Sequence, residues 1–142
     1  MRTIRIISVM TLLLFAALPC FALVTLDVVS KDRAEKDLGA TIRMETVGTN
    51  QVGVWLEFAP KGKLQDVGSV QLEIASAEGT LVSATLSPLK RTADSVVVYF
   101  STTPTCLPRS RLTVYVKSGG WPEYGHGFQF NVSDFVKHEP SR

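Results

Sequence analysis

The stretch "RLTVYVK", residues 111–117, alternates strictly. Leu112, Val114 and Val116 point one way; Arg111, Thr113, Tyr115 and Lys117 point the other. Side chains repeat every two residues along an extended chain, so this pattern is a β-strand with one dry face and one wet face. The same period recurs on both sides of it. Residues 69–75 (SVQLEIA) set Val70, Leu72 and Ile74 against Gln71 and Glu73. Residues 127–133 (GFQFNVS) set Phe128, Phe130 and Val132 against Gln129, Asn131 and Ser133. Residues 52–58 (VGVWLEF) set Val52, Val54, Leu56 and Phe58 against Gly53, Trp55 and Glu57. Residues 96–100 (VVVYF) are apolar on both faces, as in a central strand. Residues 24–30, 40–47 and 80–87 complete a set of eight candidate strands.

Turn chemistry separates them. Gly48-Thr49-Asn50 predicts a hairpin, Pro60-Lys61-Gly62-Lys63 opens a longer connection, Glu78-Gly79 marks a tight turn, and Pro88 to Asp94 reads as a polar loop. Helical periodicity is confined to residues 31–39 (KDRAEKDLG). There Asp32 is placed to cap a short turn, with Glu35 reaching back and Gly39 ending it; a charged loop fits equally well. Eight short strands with regular turns predict an all-β fold, a single antiparallel β-sandwich spanning residues 23–136. Its general architecture resembles the immunoglobulin-like or fibronectin-like sandwiches. Trp55 stands in the third strand, where many immunoglobulin domains keep a core Trp. Here it falls on the face opposite Val54 and Leu56, and the cysteine pair is missing, so no family is assigned.

Residues 1–22 (MRTIRIISVMTLLLFAALPCFA) read as a secretory signal peptide. Arg2 and Arg5 precede an apolar core, and Cys20 and Ala22 supply small residues at the −3 and −1 positions. The core is shorter than the roughly 20 residues that span a bilayer. A single anchor and lipid attachment at Cys20 are the lesser readings. Removing 22 of 142 residues leaves 120, one domain's worth, with residues 137–142 as a flexible tail. The leader holds two of the 15 Lys and Arg and none of the 13 Asp and Glu, so the remainder carries 13 of each sign. No positive field is left to draw in phosphates, which argues against nucleic acid as a partner. The expected location is secreted or periplasmic, with no membrane span after cleavage. Cys106 then stands alone. It is expected to be a partly buried apolar residue, with a bridge to another chain as the alternative.

The candidate binding residues are Trp121, Tyr124, His126, Trp55 and Tyr115. Residues 119–127 (GGWPEYGHG) join two strands, and their glycines and Pro122 suit a chain reversal. Trp121 and Tyr124 either plug the end of the sandwich or form a platform on which a sugar ring or a partner chain stacks. Trp55, Tyr99 and Tyr115 are the other aromatics expected to face outward. Glu123 and His126, with His138, are spaced too loosely for a zinc site. Cys106 lacks the following His and Met of a copper site, so neither a metal nor a cofactor is expected. A Cys106–His126 nucleophile pair has no orienting third residue, and no catalytic fingerprint is present. Asn131-Val132-Ser133 matches a glycosylation acceptor but lies within a strand. The sequence therefore points to a non-catalytic exported module that binds a protein or glycan partner. The alternatives are a small enzyme or metal-binding protein using Glu123 and His126, and an accessory domain of an envelope complex engaged through an open sheet edge such as 24–30.

Overall fold

The computed structural model describes residues 24–76, 78–79, 81–117 and 125–136. Among these residues nine strands form two stacked sheets: β1 (Thr25–Val28), β2 (Ala40–Gly48), β3 (Gln51–Phe58), β4 (Val67–Ala75), β5 (Leu81–Leu86), β6 (Pro88–Arg91), β7 (Val96–Thr102), β8 (Ser110–Val116) and β9 (His126–Asn131). The five-stranded sheet runs β1-β9-β8-β4-β5, and the four-stranded sheet runs β2-β3-β7-β6. Along the chain, antiparallel neighbours within a sheet alternate with crossings to the other sheet. This is an all-β sandwich, as the alternation predicts.

The inner rows match the sequence pattern. In one sheet Leu72, Leu112 and Phe130 lie side by side, and Val70, Val114 and Phe128 form the next row. The facing sheet supplies Val54, Leu56, Phe58, Val96, Val98 and Phe100, and all of these residues are buried. Complete burial of a side chain of this size is worth roughly 1.5–3 kcal/mol, so these two rows hold the fold. Leu64, on the 3-10 turn Gly62–Leu64, and Val132 and Phe135, on the turn Val132–Phe135, close the ends of the core.

Three expectations are corrected. First, the sheets are not antiparallel throughout: β1 pairs with β9 in parallel, Thr25 beside His126 and Val28 beside Gln129. A crossing to the other sheet follows β1, so no hairpin forces it to run antiparallel. Second, the segment from Pro88 is not only a loop. Residues Pro88–Arg91 form a ninth strand on β7, with Leu89 bulged out between the paired residues Pro88 and Lys90. Pro lacks an N–H donor, and β6 is a sheet edge, where that lack is tolerated. Third, Asp32 caps nothing. The helical turn α1 (Lys31–Arg33) starts at Ser30 without a side-chain cap and widens into a π-type turn over Ala34–Leu38. Gly39 ends it with φ 58°, the left-handed conformation that glycine adopts without a Cβ clash. Ala34 and Leu38 are buried. Arg33 clamps the turn to β1 by donating to both carboxylate oxygens of Asp27, at 3.1 and 3.0 Å.

Candidate functional site

The outer face of the four-stranded sheet carries a cluster of aromatic and charged groups. Pairing of β2 with β3 sets Arg43 opposite Trp55, and pairing of β3 with β7 sets Trp55 opposite Tyr99. Residues opposite one another on neighbouring antiparallel strands share a face. The three side chains therefore form one row across three strands. The rings of Trp55 and Tyr99 are 4.8 Å apart between centroids and tilted by 42°. The Arg43 guanidinium carbon lies 4.7 Å from the Trp55 ring centre, within cation–π range. Arg43 also makes an ion pair with Glu45 on the same strand.

Gly53 explains how a residue as large as Trp lies down on a sheet. A Cβ at this position would sit 2.7 Å from Trp55 Cη2 and 2.8 Å from Val47 Cγ1. The missing side chain is the space that the far end of the indole occupies. Below this row Glu57 is exposed and accepts a hydrogen bond of 2.9 Å from the Ser95 hydroxyl. The face thus offers two half-buried aromatic rings, a guanidinium and two carboxylates, Glu45 and Glu57. At its β2 side Arg43 and Glu45 also line a 370 Å³ cleft with Ile42, Met44, Leu107 and Phe135, which neither Trp55 nor Tyr99 lines. The aromatic pair outside that cleft suits contact with another surface better than enclosure of a small molecule.

The other predicted site residues are dispersed. Tyr115 lies on the outer face of the five-stranded sheet, its ring edge beside Gly127, so the sandwich separates it from Trp55. His126 begins β9 with its ring edge-on to Phe128 at 4.6 Å, in a shallow hollow with Lys63, Val116 and Lys117. Trp121, Glu123, Tyr124 and His138 lie outside the described residues. Cys106 is a half-buried free thiol. Its N–H donates to the Thr103 carbonyl at 3.1 Å, before the 3-10 turn Leu107–Arg109. No cluster of three or more His, Cys, Asp or Glu side chains is arranged to hold a metal among the described residues. None of their helices is long and apolar enough to cross a membrane.

Among the described residues the one clear electrostatic perturbation lies elsewhere. The hydrogen bonds from Arg33 hold the Asp27 carboxyl below its ordinary value, with smaller help from the charges of Arg33, His126 and Lys63. The same pair raises Arg33 above its ordinary value. This is a clasp between β1 and the turn that follows it.

Sequence reasoning finds Trp55 and its outward face but misses Arg43 as its neighbour. The signal that could have revealed Arg43 is a break in alternation. Ile42 and Met44 set the inward phase of β2, yet Val47 falls out of phase with them, which marks the irregularity between Thr46 and Gly48. No protein-family model matches the chain, and no curated protein is similar to it in sequence.

Proposed function

We propose that this protein is an exported, non-catalytic β-sandwich module that binds a protein partner through the Arg43–Trp55–Tyr99 row. Its general plan is close to the immunoglobulin-like sandwiches, and it acts outside the cytoplasm, in the secreted or periplasmic space. The observation that carries the reading is the alignment of an Arg, a Trp and a Tyr in register on an open sheet face. Trp, Tyr and Arg are the residues most enriched where single side chains dominate binding energy between proteins. Large apolar rings left in contact with water on a monomer are otherwise costly. A protein surface is favoured over a sugar because Arg43 already lies over the indole, where a sugar ring would have to stack. Export rests on the leader-like sequence of residues 1–22.

The test compares what is retained from the secreted and envelope fractions of the source organism by wild type and by a Trp55→Ala/Tyr99→Ala variant. Expected is a specific protein held by the wild type and lost by a variant that still unfolds cooperatively. Retention of the same partner by the variant would refute the role of this face. Binding to immobilised glycans, abolished by the same substitutions, would move the site from a protein to a sugar partner.

A further inference from the structure

Strand β2 is the edge of the four-stranded sheet, and its nine residues bond only to β3 among the described strands. An edge of that length, about 30 Å, exposes a row of unpaired N–H and C=O groups and is a template for further pairing. Charges usually protect such an edge by repelling a like edge. Here the two charges on β2 are opposite in sign and two residues apart: Arg43 and Glu45, on either side of Met44. Both are on the outer face and well exposed, 62% and 53%.

We infer that two copies pair antiparallel through β2, with the two-fold axis at Met44. In an antiparallel pair centred on residue 44, position 43 of one copy faces position 45 of the other, and the converse holds by symmetry. Arg43, which pairs with Glu45 of its own chain in the monomer, then also meets Glu45 of the second copy, once on each side of the axis. Shifting the register by two residues, to centre on 42 or 46, forfeits both matches. A centre on 43 or 45 sets like charges directly opposite. The charge pattern is therefore complementary to itself in one register only. The inward face of the same strand supports the pairing. Ile42 and Met44 line the 370 Å³ cleft with Leu107 and Phe135, beside Arg43 and Glu45, and on the axis the two Met44 side chains approach each other. The result is one continuous eight-stranded sheet. It sets two Trp55–Tyr99 rows on the same face, about 15 Å apart. Arg43 is shared with the proposed binding row, whereas Glu45→Arg and Met44→Cys leave Arg43, Trp55 and Tyr99 in place and test the pairing apart from that row.

Sedimentation of the purified protein tests it directly. Expected is a reversible dimer with a dissociation constant of about 1–100 μM. Arg43→Glu leaves two acidic groups on the edge and Glu45→Arg two basic ones. Each variant alone should dimerise at least roughly tenfold more weakly. An equimolar mixture of the two should associate again, because each supplies the charges the other needs; rescue within one chain cannot do this. Met44→Cys in a Cys106→Ser background should oxidise to a covalent dimer. Ile42→Cys should not, since the two copies of that position are displaced by four residues. A single-chain mass up to about 500 μM overturns the inference. So does dimerisation unaffected by either charge reversal, or failure of the mixture to associate while both variants remain folded.

Discussion

Replacing Gly53 by Ala tests whether the Trp55 ring rests on the sheet or helps to hold it together. The backbone of Gly53 is not in the left-handed region, so Ala brings no dihedral strain. In a strand interior it gains roughly 0.5–1 kcal/mol over Gly from the lower entropy of the unfolded chain. The cost is steric. The new methyl would lie 2.7 Å from Trp55 Cη2 and 2.9 Å from Cζ3, against about 3.4 Å at ordinary contact. The indole must therefore lift by roughly 0.7 Å at its far end, and Val47, exposed on the β2 side, must turn aside. Swinging the ring fully into water would forfeit the half of its roughly 200 Å² that is covered, about 2.5 kcal/mol. A lift of less than an ångström loses only part of the dispersion on one face, on the order of 1 kcal/mol. The two effects nearly cancel.

The expected outcome is a stability within about 1 kcal/mol of wild type, together with a displaced indole. Urea unfolding measures the first. Emission wavelength and acrylamide quenching measure the second, in a Trp121→Phe background so that Trp55 is the sole reporter. Trp55 should emit further to the red and quench faster in the Gly53→Ala protein, and partner binding should weaken without unfolding. A loss above roughly 2 kcal/mol would show that the row is structural and refute its reading as a contact surface. Unchanged emission and quenching would refute the packing of the indole on Gly53.

Two further outcomes probe the frame. Phe130→Ala, which empties a fully buried position beside Leu112, should cost about 3–5 kcal/mol by urea denaturation, well above the change of about 1 kcal/mol or less expected for Gly53→Ala. Asp27 should make the attachment of β1 sensitive to acid. Its folded carboxyl holds a proton less tightly than the unfolded chain does, so its contribution is present above the ordinary carboxylate range and fades as pH falls through the lowered folded value. Hydrogen exchange of the Thr25 and Val29 amides, bonded to Gly125 and Gln129, should accelerate in acid relative to the β3 amides, and Asp27→Asn should remove that difference.

The sequence carries the inward faces of residues 52–58, 69–75, 111–117 and 127–133 because that information is local. Alternation alone says that Leu56 and Val114 turn in and that Trp55 and Tyr115 turn out, and the structure places all four so. Alternation cannot say which strands are neighbours. Trp55 meets Tyr99 across a pairing that the chain reaches only after crossing to the other sheet and back, and Tyr115 is lost to the opposite face of the sandwich by the same crossings. The parallel placement of β1 is hidden for the same reason, since nothing local distinguishes it from an antiparallel edge.

Arg43 is the instructive intermediate case. Counting back from the turn, where Gly48 faces Gln51, puts Arg43 opposite Leu56 and so against the core. A guanidinium cannot lie there unpaired, because burying its charge costs far more than a bulge does. The conflict is resolved by the irregularity between Thr46 and Gly48, which advances the register by one residue and brings Arg43 beside Trp55 on the wet face. A single extra residue thereby assembles the row and also turns Arg43 and Glu45 outward on either side of Met44. The aromatic face and the self-complementary edge share the register that the bulge preserves. Deleting Val47 takes out the extra residue itself, so Gly48 should face Gln51 and Thr46 face Val52 in an unbroken ladder, and both Arg43 beside Trp55 and the dimer should persist; loss of either would refute this register.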